Sequence, residues 1–255
     1  YKNGAEQTTF SGQKVIPSSA TSKGEQWHFS VKPKDGTDYG ELKVSPDLTI
    51  GNTPPVASNL VITPSNPLTG DDLVGSYDYT DGNGDPESGS ELRWYKDGVE
   101  QTLYTGVKVI PSSATTKGER WYFTVRPKDG TDYGEQKQSA SVTIGNSPPV
   151  VKDVTITPSA PKSGDVLECH YVYTDADGDI ESGTELKWYR DDVYQSSRKN
   201  KVSVSSTKKG QTWYATVRPK DGTDFGEVYR SSSVTIGNTP PLVKDLEVTP
   251  SEPVT

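Results

Sequence analysis

The stretch D-V-L-E-C-H-Y-V-Y-T, residues 165 to 174, decides the fold because its inward and outward residues alternate. Successive side chains of a β-strand point to opposite faces, so Leu167, Cys169, Tyr171 and Tyr173 share one face. A segment with this period has one face in a core and the other toward solvent. The stretch therefore predicts a half-buried strand.

Other segments of the same region have the composition of short strands separated by Gly, Pro, Asp and Ser clusters. They are V-T-I-T-P (154–158), E-L-K-W-Y-R (185–190), a weaker strand around Val202, T-W-Y-A-T-V-R-P (212–219) and a last strand ending at V-T-I-G-N. Trp188 and Trp213 are predicted to face inward, and the D-G of K-D-G-T-D (220–224) is predicted to be a hairpin turn. Six or seven antiparallel strands in about 92 residues predict an all-β sandwich.

The sequence repeats itself with a period of 92 to 94 residues. K-D-G-T-D-Y-G at 34–40 recurs at 128–134 and, with Phe for Tyr, at 220–226, and the linker G-N-(T/S)-P-P recurs at 51, 145 and 237. We predict the rear part of a repeat at 1–52, complete repeats at 53–146 and 147–238, and a linker with the first strand of a next repeat at 239–255. Short Pro-Pro linkers favour an end-to-end arrangement. Because Tyr1 aligns with Tyr95 in mid-strand, we expect a segment of a longer array.

Three motifs resemble strands of immunoglobulin domains. L-K-W-Y-R-D and L-R-W-Y-K-D-G are similar to strand C with its buried Trp, G-D-V-L-E-C-H-Y is similar to strand B, and K-K-G-Q-T-W-Y-A-T-V stands where strand F is expected. The inter-sheet disulfide is missing, because Ala215 occupies the position of the second cysteine. The middle repeat has Gly75 and Phe123 where this repeat has Cys169 and Ala215, an exchange that keeps core volume constant. Cys169 is therefore predicted to be a buried core thiol.

The resemblance is closer to the Ig-like and PKD-like repeats of prokaryotic (bacterial or archaeal) cell-surface proteins. In those repeats a D-x-D-G-D loop precedes a Trp-containing strand and an N-x-P-P linker joins the domains. The resemblance covers every repeat, and it implies an extracellular location at the cell surface. Such motifs identify a fold better than they identify a ligand.

Oxygen-bearing side chains alternate around a glycine in the loop between the second and third strands. They are Asp175, Asp177, Asp179 and Glu181 in one repeat, and Asp81, Asn83, Asp85 and Glu87 in the preceding one. Hard oxygen donors suit Ca²⁺ and suit zinc or copper poorly. The glycine stands one position early for an EF-hand loop, and no flanking helices are predicted. We predict that Ca²⁺ binds here, the alternative being that Asp, Asn and Gly only form turns.

Topology adds weaker candidates, because in an Ig-like sandwich the B-C loop, the F-G loop and the entry of strand A lie at one end. The F-G loops contribute Asp132 and Asp224, and the linker contributes Asn146. Asp129 and Asp221 are more economically interpreted as hairpin-turn residues. Cadherin-like arrays use a similar arrangement, in which calcium stiffens the junctions, although the cadherin motifs themselves are absent from this sequence.

Composition excludes several functions. A net charge of -8 argues against nucleic acid and anionic membranes as partners, and no run of about 18 apolar residues is present to form a membrane segment. The two histidines, His28 and His170, do not recur in the other repeats, and no G-x-S-x-G motif occurs. We therefore expect that the chain is not an enzyme.

The expected function is structural: an extracellular stalk, fibre or surface-layer segment that spans distance or assembles into a filament, with itself or neighbouring surface proteins as partners. The alternative is an adhesin or carbohydrate-binding module array attached to a secreted enzyme, with a glycan or another cell-surface ligand. Outward Tyr95, Tyr122, Tyr189 and Tyr214 are the candidate sugar platform, and they also fit plain surface positions.

Overall fold

Two β-sandwiches form the computed structural model, which describes residues 1–195 and 199–247. The chain divides into two compact units: Tyr1–Pro67 with Asp71–Gly145, and Leu68–Gly70 with the described part of Asn146–Thr255. The repeat boundaries given above stay predictions. Of the predicted segment 239–255, residues 248–255 lie outside the described residues, and residues 239–247 contain no strand.

The first unit contains one complete sandwich. Four short strands come first: β1 (Gln26–Trp27), β2 (Ser30–Val31), β3 (Lys43–Val44) and β4 (Leu48–Thr49). The sandwich consists of β5 (Val56–Thr63), β6 (Leu73–Thr80), β7 (Glu91–Lys96), β8 (Val99–Glu100), β9 (Val109–Ile110), β10 (Arg120–Arg126), β11 (Lys137–Gln138) and β12 (Val142–Thr143). Sheet β5-β6-β9 faces sheet β11-β10-β7-β8, in which β12 also pairs with β10, and all pairings are antiparallel.

The second unit repeats this plan. Its strands are β13 (Val150–Thr157), β14 (Leu167–Thr174), β15 (Glu185–Arg190), β16 (Val193–Gln195), β17 (Lys201–Val202), β18 (Thr212–Arg218), β19 (Tyr229–Arg230) and β20 (Val234–Thr235). Sheet β13-β14-β17 faces β16-β15-β18-β19, and β20 also pairs with β18. Because β19 and β20 are two halves of one edge strand, the described residues of this sandwich form seven strands. The predicted all-β, Ig-like fold is confirmed.

Helical structure is limited to single turns. The described residues contain 3-10 turns at Thr8–Phe10, Ser18–Ala20, Thr102–Tyr104, Ser112–Ala114 and Val204–Ser206. No helix within residues 1–195 and 199–247 has the length and apolar character needed to cross a membrane.

Each core is centred on two tryptophans, as the alternation of the strands predicts. Trp188 and Trp213 are fully buried with ring centroids 6.4 Å apart, and Trp94 and Trp121 repeat the same edge-on contact at 6.4 Å. The indole N–H of Trp188 donates to the Lys199 carbonyl at 3.0 Å, so the ring is buried without leaving its polar atom unpaired. These large rings compensate for the low apolar content of the chain.

The predicted exchange of core volume is present. A Cβ atom on Gly75 would lie 2.9 Å from Trp94 Cζ2 and 3.1 Å from Phe123 Cε1, so the ring of Phe123 fills the space that a side chain at position 75 would need. In the other core Cys169 is 4% exposed and packs in one cluster with Ala215. The prediction that Cys169 is a buried core thiol is confirmed, and burial raises its pKa to about 11.

Candidate functional site

Three segments meet at one end of the second sandwich: the linker before β13, the β14–β15 loop (175–184) and the β18–β19 loop (219–228). Asn146 Nδ2 donates to Asp221 Oδ2 and to Asp224 Oδ2, both at 2.8 Å. The backbone N–H of Ser147 donates to Asp177 Oδ2 at 2.6 Å. The linker is thus hydrogen-bonded to both loops. We call the cluster formed by the linker together with Asp175, Asp177, Asp179, Asp221 and Asp224 the acidic end of the second unit. Its counterpart in the first unit is formed by the linker before β5 together with Asp81, Asp85, Asp129 and Asp132.

The β14–β15 loop is folded around the carboxylate of Asp175. Asp175 Oδ1 accepts the backbone N–H groups of Asp177 at 2.8 Å and Asp179 at 3.1 Å. This turn brings one carboxylate oxygen each from Asp175, Asp177 and Asp179 within 4.8 Å of one another. Asp175 Oδ2 and Asp177 Oδ1 are buried and have no hydrogen-bond partner. The predicted candidates Asp175, Asp177 and Asp179 therefore lie together, with two oxygens left for a ligand.

Asp221 has two roles in the β18–β19 loop. Its Oδ1 accepts the backbone N–H groups of Thr223 at 2.6 Å and Asp224 at 2.7 Å, which is the turn role predicted from the sequence. Its Oδ2 also binds Asn146, a role that the sequence did not indicate. Burial of Asp221, which is 8% exposed, raises its pKa, but the hydrogen bonds from Asn146 and the backbone outweigh that effect and lower the pKa overall. Asp221 is thus a buried, ionised group.

The first unit has the same linker contacts. Asn52 Nδ2 donates to Asp129 Oδ2 at 2.6 Å and to Asp132 Oδ2 at 2.8 Å. The backbone N–H of Thr53 donates to Asn83 Oδ1 at 2.6 Å. Asn52 Oδ1 is buried and has no hydrogen-bond partner. Asn52 was not a predicted site residue, although its position in the repeated G-N-x-P-P linker could have indicated it.

The β6–β7 loop (81–90) also follows its counterpart. Asp81 Oδ1 accepts the backbone N–H groups of Asn83 at 2.7 Å and Asp85 at 3.1 Å, and Asp81 Oδ2 is buried without a hydrogen-bond partner. Lys23 Nζ lies 2.9 Å from Asp85 Oδ2. This hydrogen bond raises the pKa of Lys23, burial opposes it, and the negative charges of Asp129 and Asp81 add to it. The acidic end of the first unit thus already attracts a cation.

Two predicted candidates are not part of these clusters. The hydroxyl of Tyr171 donates to Glu181 Oε1 at 2.7 Å, and the hydroxyl of Tyr77 donates to Glu87 Oε1 at 2.6 Å. Both glutamates are exposed, and Glu181 is outside the group of Asp175, Asp177 and Asp179. The alternation of the sequence continues to the fourth position, but the loop turns away before it.

The pKa of Tyr173, at the end of β14, is affected by the negative charges of the acidic end. Burial, followed by the negative charges of Asp175 and Asp221, raises the pKa of Tyr173 to about 12. In the first unit, burial and the charges of Asp81 and Asp129 raise the pKa of Tyr79 in the same way. The neighbourhood of both clusters therefore disfavours additional negative charge.

The donor set matches a hard cation. Every candidate atom is a carboxylate or amide oxygen, and calcium takes six to eight oxygen ligands at about 2.3–2.6 Å from flexible loops. A buried carboxylate oxygen without a partner is costly, because burial removes water and nothing replaces it. The residues that could hold such an ion are Asp175, Asp177 and Asp179 in the second unit, and Asp81 and Asn52 in the first. The residues present fit the ion.

The outward tyrosines form stacked ladders. Tyr95 and Tyr122 stack with centroids 4.9 Å apart, and Tyr189 and Tyr214 stack at 4.8 Å. The guanidinium carbon of Arg230 lies 3.7 Å from the centroid of Tyr214, on the side of the neighbouring strand β19. Both faces of Tyr214 are thus covered by side chains. A sugar ring stacks on an open aromatic face, which Tyr214 does not offer.

No protein-family model matches the sequence, and no curated protein matches it. The solved structures that resemble this chain do so at low sequence identity, and the three described next each contain several domains. The FN1-FN3 domains of chicken CNTN1 are 13% identical over 84% of this chain and 78% of that one, with a TM-score of 0.31. The fibronectin(III)-like modules of Clostridium thermocellum CbhA are 13% identical over 74% of this chain and 100% of that one, with a TM-score of 0.29. The N-terminal eight Ig domains of Down Syndrome Cell Adhesion Molecule are 12% identical over 89% of this chain and 29% of that one, with a TM-score of 0.40.

Proposed function

We propose that the chain is a structural segment of an extracellular array, a stalk, fibre or surface layer of a prokaryotic cell, in which Ca²⁺ fastens each linker to the sandwich that follows it. The observation that carries the proposal is the pair of buried, unpartnered oxygens, Asp175 Oδ2 and Asp177 Oδ1, at the end of the sandwich where the linker enters. The array itself is inferred from the sequence repeat and from two sandwiches of identical strand order.

Stiffening follows from the way one side chain serves two partners. Asp177 Oδ2 holds the linker through the N–H of Ser147, and Asp177 Oδ1 is available to the ion. Binding of the ion fixes the carboxylate and therefore fixes the linker that hydrogen-bonds to it. Without the ion, the carboxylates of the acidic end repel one another and the linker contacts weaken. Extracellular calcium modules bind with dissociation constants of roughly 10⁻⁴ to 10⁻³ M, so millimolar Ca²⁺ adds about 1 to 3 kcal/mol per site.

The mechanical role favours partners of the same kind. Further copies or neighbouring surface proteins would meet the exposed edge strands and sheet faces of the sandwiches, and repeated lateral contacts would build a filament or layer. The contacts of Tyr214 with Tyr189 and Arg230 make this tyrosine a poor platform for a glycan, which favours the structural role over the adhesin alternative at this position.

Hydrogen exchange of the linker amides tests the proposal. In the native chain, millimolar Ca²⁺ should slow exchange of the Ser147 and Thr53 amides relative to chelator. In the double variant Asp175→Ala, Asp177→Ala, the calcium effect should vanish at Ser147 and persist at Thr53, which serves as the internal reference. Glu181→Ala removes a nearby charge outside the cluster and should leave both effects intact. A native chain whose linker amides ignore Ca²⁺ would refute the proposal.

A further inference from the structure

The two acidic ends share most of one hydrogen-bond frame, but the linker N–H is bound by a different side chain in each. Asn83 Oδ1 accepts the Thr53 N–H at 2.6 Å, and Asp177 Oδ2 accepts the Ser147 N–H at the same 2.6 Å. A backbone N–H can only donate, so the amide of Asn83 is oriented with its oxygen toward the linker. The remaining atom is then the Nδ2 group in Asn83 and an unpartnered carboxylate oxygen in Asp177.

The difference between the Nδ2 group of Asn83 and the Oδ1 atom of Asp177 changes which of the two side chains can bind a cation through this atom. The Nδ2 group of Asn83 is a hydrogen-bond donor with positive hydrogens, and it cannot coordinate a cation. Asp177 Oδ1 carries negative charge, is buried and has no competing partner. The second unit thus brings one more negative charge to the acidic end than the first, in which the unpartnered linker oxygen Asn52 Oδ1 is uncharged.

The hydrogen bonds that shape this frame are matched in the two units, and the Lys23–Asp85 ion pair of the first unit also acts on its acidic end. Linker asparagine, turn aspartate and loop aspartate make the same contacts in both units, with distances of 2.6–2.8 Å and 2.7–3.1 Å for the corresponding bonds. The carboxylates of the first unit are Asp81, Asp85, Asp129 and Asp132, and those of the second are Asp175, Asp177, Asp179, Asp221 and Asp224. Calcium affinity of loop sites is tuned by the number of charged ligands.

We infer that the two acidic ends bind Ca²⁺ with unequal affinity and that the second unit fills first, with the Asn83/Asp177 difference setting the order. This inference rests on the proposed function. The dissociation constants should differ by about tenfold or more, as expected for one additional charged ligand. As the Ca²⁺ concentration rises, successive linkers of the array would therefore become fixed to their sandwiches at different Ca²⁺ concentrations.

Calorimetric titration of the whole chain with CaCl₂ tests the order. The native chain should show two binding events separated by about tenfold or more in dissociation constant. Asn83→Asp should strengthen the weaker event and Asp177→Asn should weaken the stronger one, so that each substitution brings the two dissociation constants closer together. Both substitutions are nearly isosteric and keep the acceptor for the linker N–H. Circular dichroism of each variant verifies that the sandwich is intact.

A matched control separates ligation from general charge. Glu181→Gln removes one negative charge from the same loop, but Glu181 is bound by Tyr171 outside the cluster, so both dissociation constants should stay as in the native chain. Equal changes in Glu181→Gln and Asp177→Asn would overturn the inference, as would two binding events that ignore both exchanges. A chain that binds no Ca²⁺ at all would overturn the proposed function and the inference with it.

Discussion

Gly226 lies against the carbonyl oxygen of Pro149: a Cβ atom built on Gly226 would be 1.9 Å from that oxygen. The first unit repeats the contact, with 1.9 Å between a Cβ on Gly134 and the oxygen of Pro55. The glycine that closes K-D-G-T-D-(Y/F)-G is therefore needed for close approach of the Pro-Pro linker. This packing positions the linker asparagine above the carboxylates of the acidic end.

Substitution of Gly226 should disrupt the packing of the linker against the β18–β19 loop. Gly226→Ala is expected to lower the free energy of unfolding of the second unit by about 1 to 3 kcal/mol, because backbone must move to admit the methyl group. Gly51→Ala is the matched control, since a Cβ there meets nothing within 4 Å, and its effect should stay within about 0.5 kcal/mol. Urea unfolding measures both. Equal destabilisation by the two substitutions would contradict the packing described.

The core exchange predicts a coupled pair of substitutions. Gly75→Cys alone should be destabilising by about 1 to 3 kcal/mol, because its side chain would overlap Trp94 and Phe123. Gly75→Cys combined with Phe123→Ala reproduces the pair found as Cys169 and Ala215, and it should cost less than the sum of the single changes. A double-mutant cycle by urea unfolding measures the coupling. Strict additivity would show that the two positions do not share space.

The thiol of Cys169 should be inert in the native chain. Reaction needs an exposed thiolate, whereas Cys169 is 4% exposed and its pKa is raised to about 11. A thiol reagent at pH 8 should label it only after denaturation, and rapid labelling of the folded chain would place the residue outside the core.

The same shift predicts a pH dependence. The unfolded thiol ionises first, so the stability that Cys169 contributes is complete below about pH 9 and is lost as pH rises toward about 11, by up to about 1.4 kcal/mol per pH unit. Cys169→Ala should lack this part of the pH dependence when unfolding is followed in urea at each pH. An identical pH profile for the variant would contradict the burial of an un-ionised thiol.

The strands could be predicted because the side chains of a β-strand alternate between two faces, and this alternation is visible within a short stretch of sequence. Alternation identified the inward face of β14 and predicted that Trp188 and Trp213 face inward from β15 and β18. The exchange of Gly75 and Phe123 for Cys169 and Ala215 was visible from comparing repeats. The close approach of Gly226 to Pro149 could not be predicted. A glycine required because the backbones pack closely cannot be distinguished in the sequence from a glycine required by a turn.

The loops were less predictable, since a loop has no fixed side-chain period. Alternation placed Glu181 with Asp175 and Asp177, but the bond from Tyr171 directs it elsewhere. Asp221 was interpreted as a turn residue, and only the folded chain brings its second oxygen to Asn146. Whether Ca²⁺ binds is still a prediction. The structure adds to it the unpartnered oxygens, which no spacing rule reveals.

Asn52 should control the ionisation of Asp129. The hydrogen bond from Asn52 lowers the pKa of Asp129, burial opposes it, and backbone N–H groups of Asp132 and Thr131 add to the lowering. Because the folded pKa is depressed, Asp129 contributes stability above its unfolded pKa, and this stability is lost as pH falls toward the folded pKa. Asn52→Ala should raise the pKa of Asp129 and move the acid loss of stability to higher pH.

Carboxyl NMR titration measures this shift. Asp35 is the internal reference, because its pKa is lowered first by the backbone N–H groups of Asp38 and Thr37 and should not respond to Asn52→Ala. An unchanged pKa of Asp129 in the variant would show that the linker does not act on this carboxylate.

Anomalous diffraction from crystals grown with Tb³⁺ in place of Ca²⁺ tests the central claim most directly, since it locates the ion. We predict an anomalous peak about 2.3–2.6 Å from both Asp175 Oδ2 and Asp177 Oδ1, with a second peak beside Asp81 Oδ2 and Asn52 Oδ1. No peak at either acidic end in saturating Tb³⁺, with the same oxygens hydrogen-bonded to ordered water, would contradict the claim that these ends are cation sites.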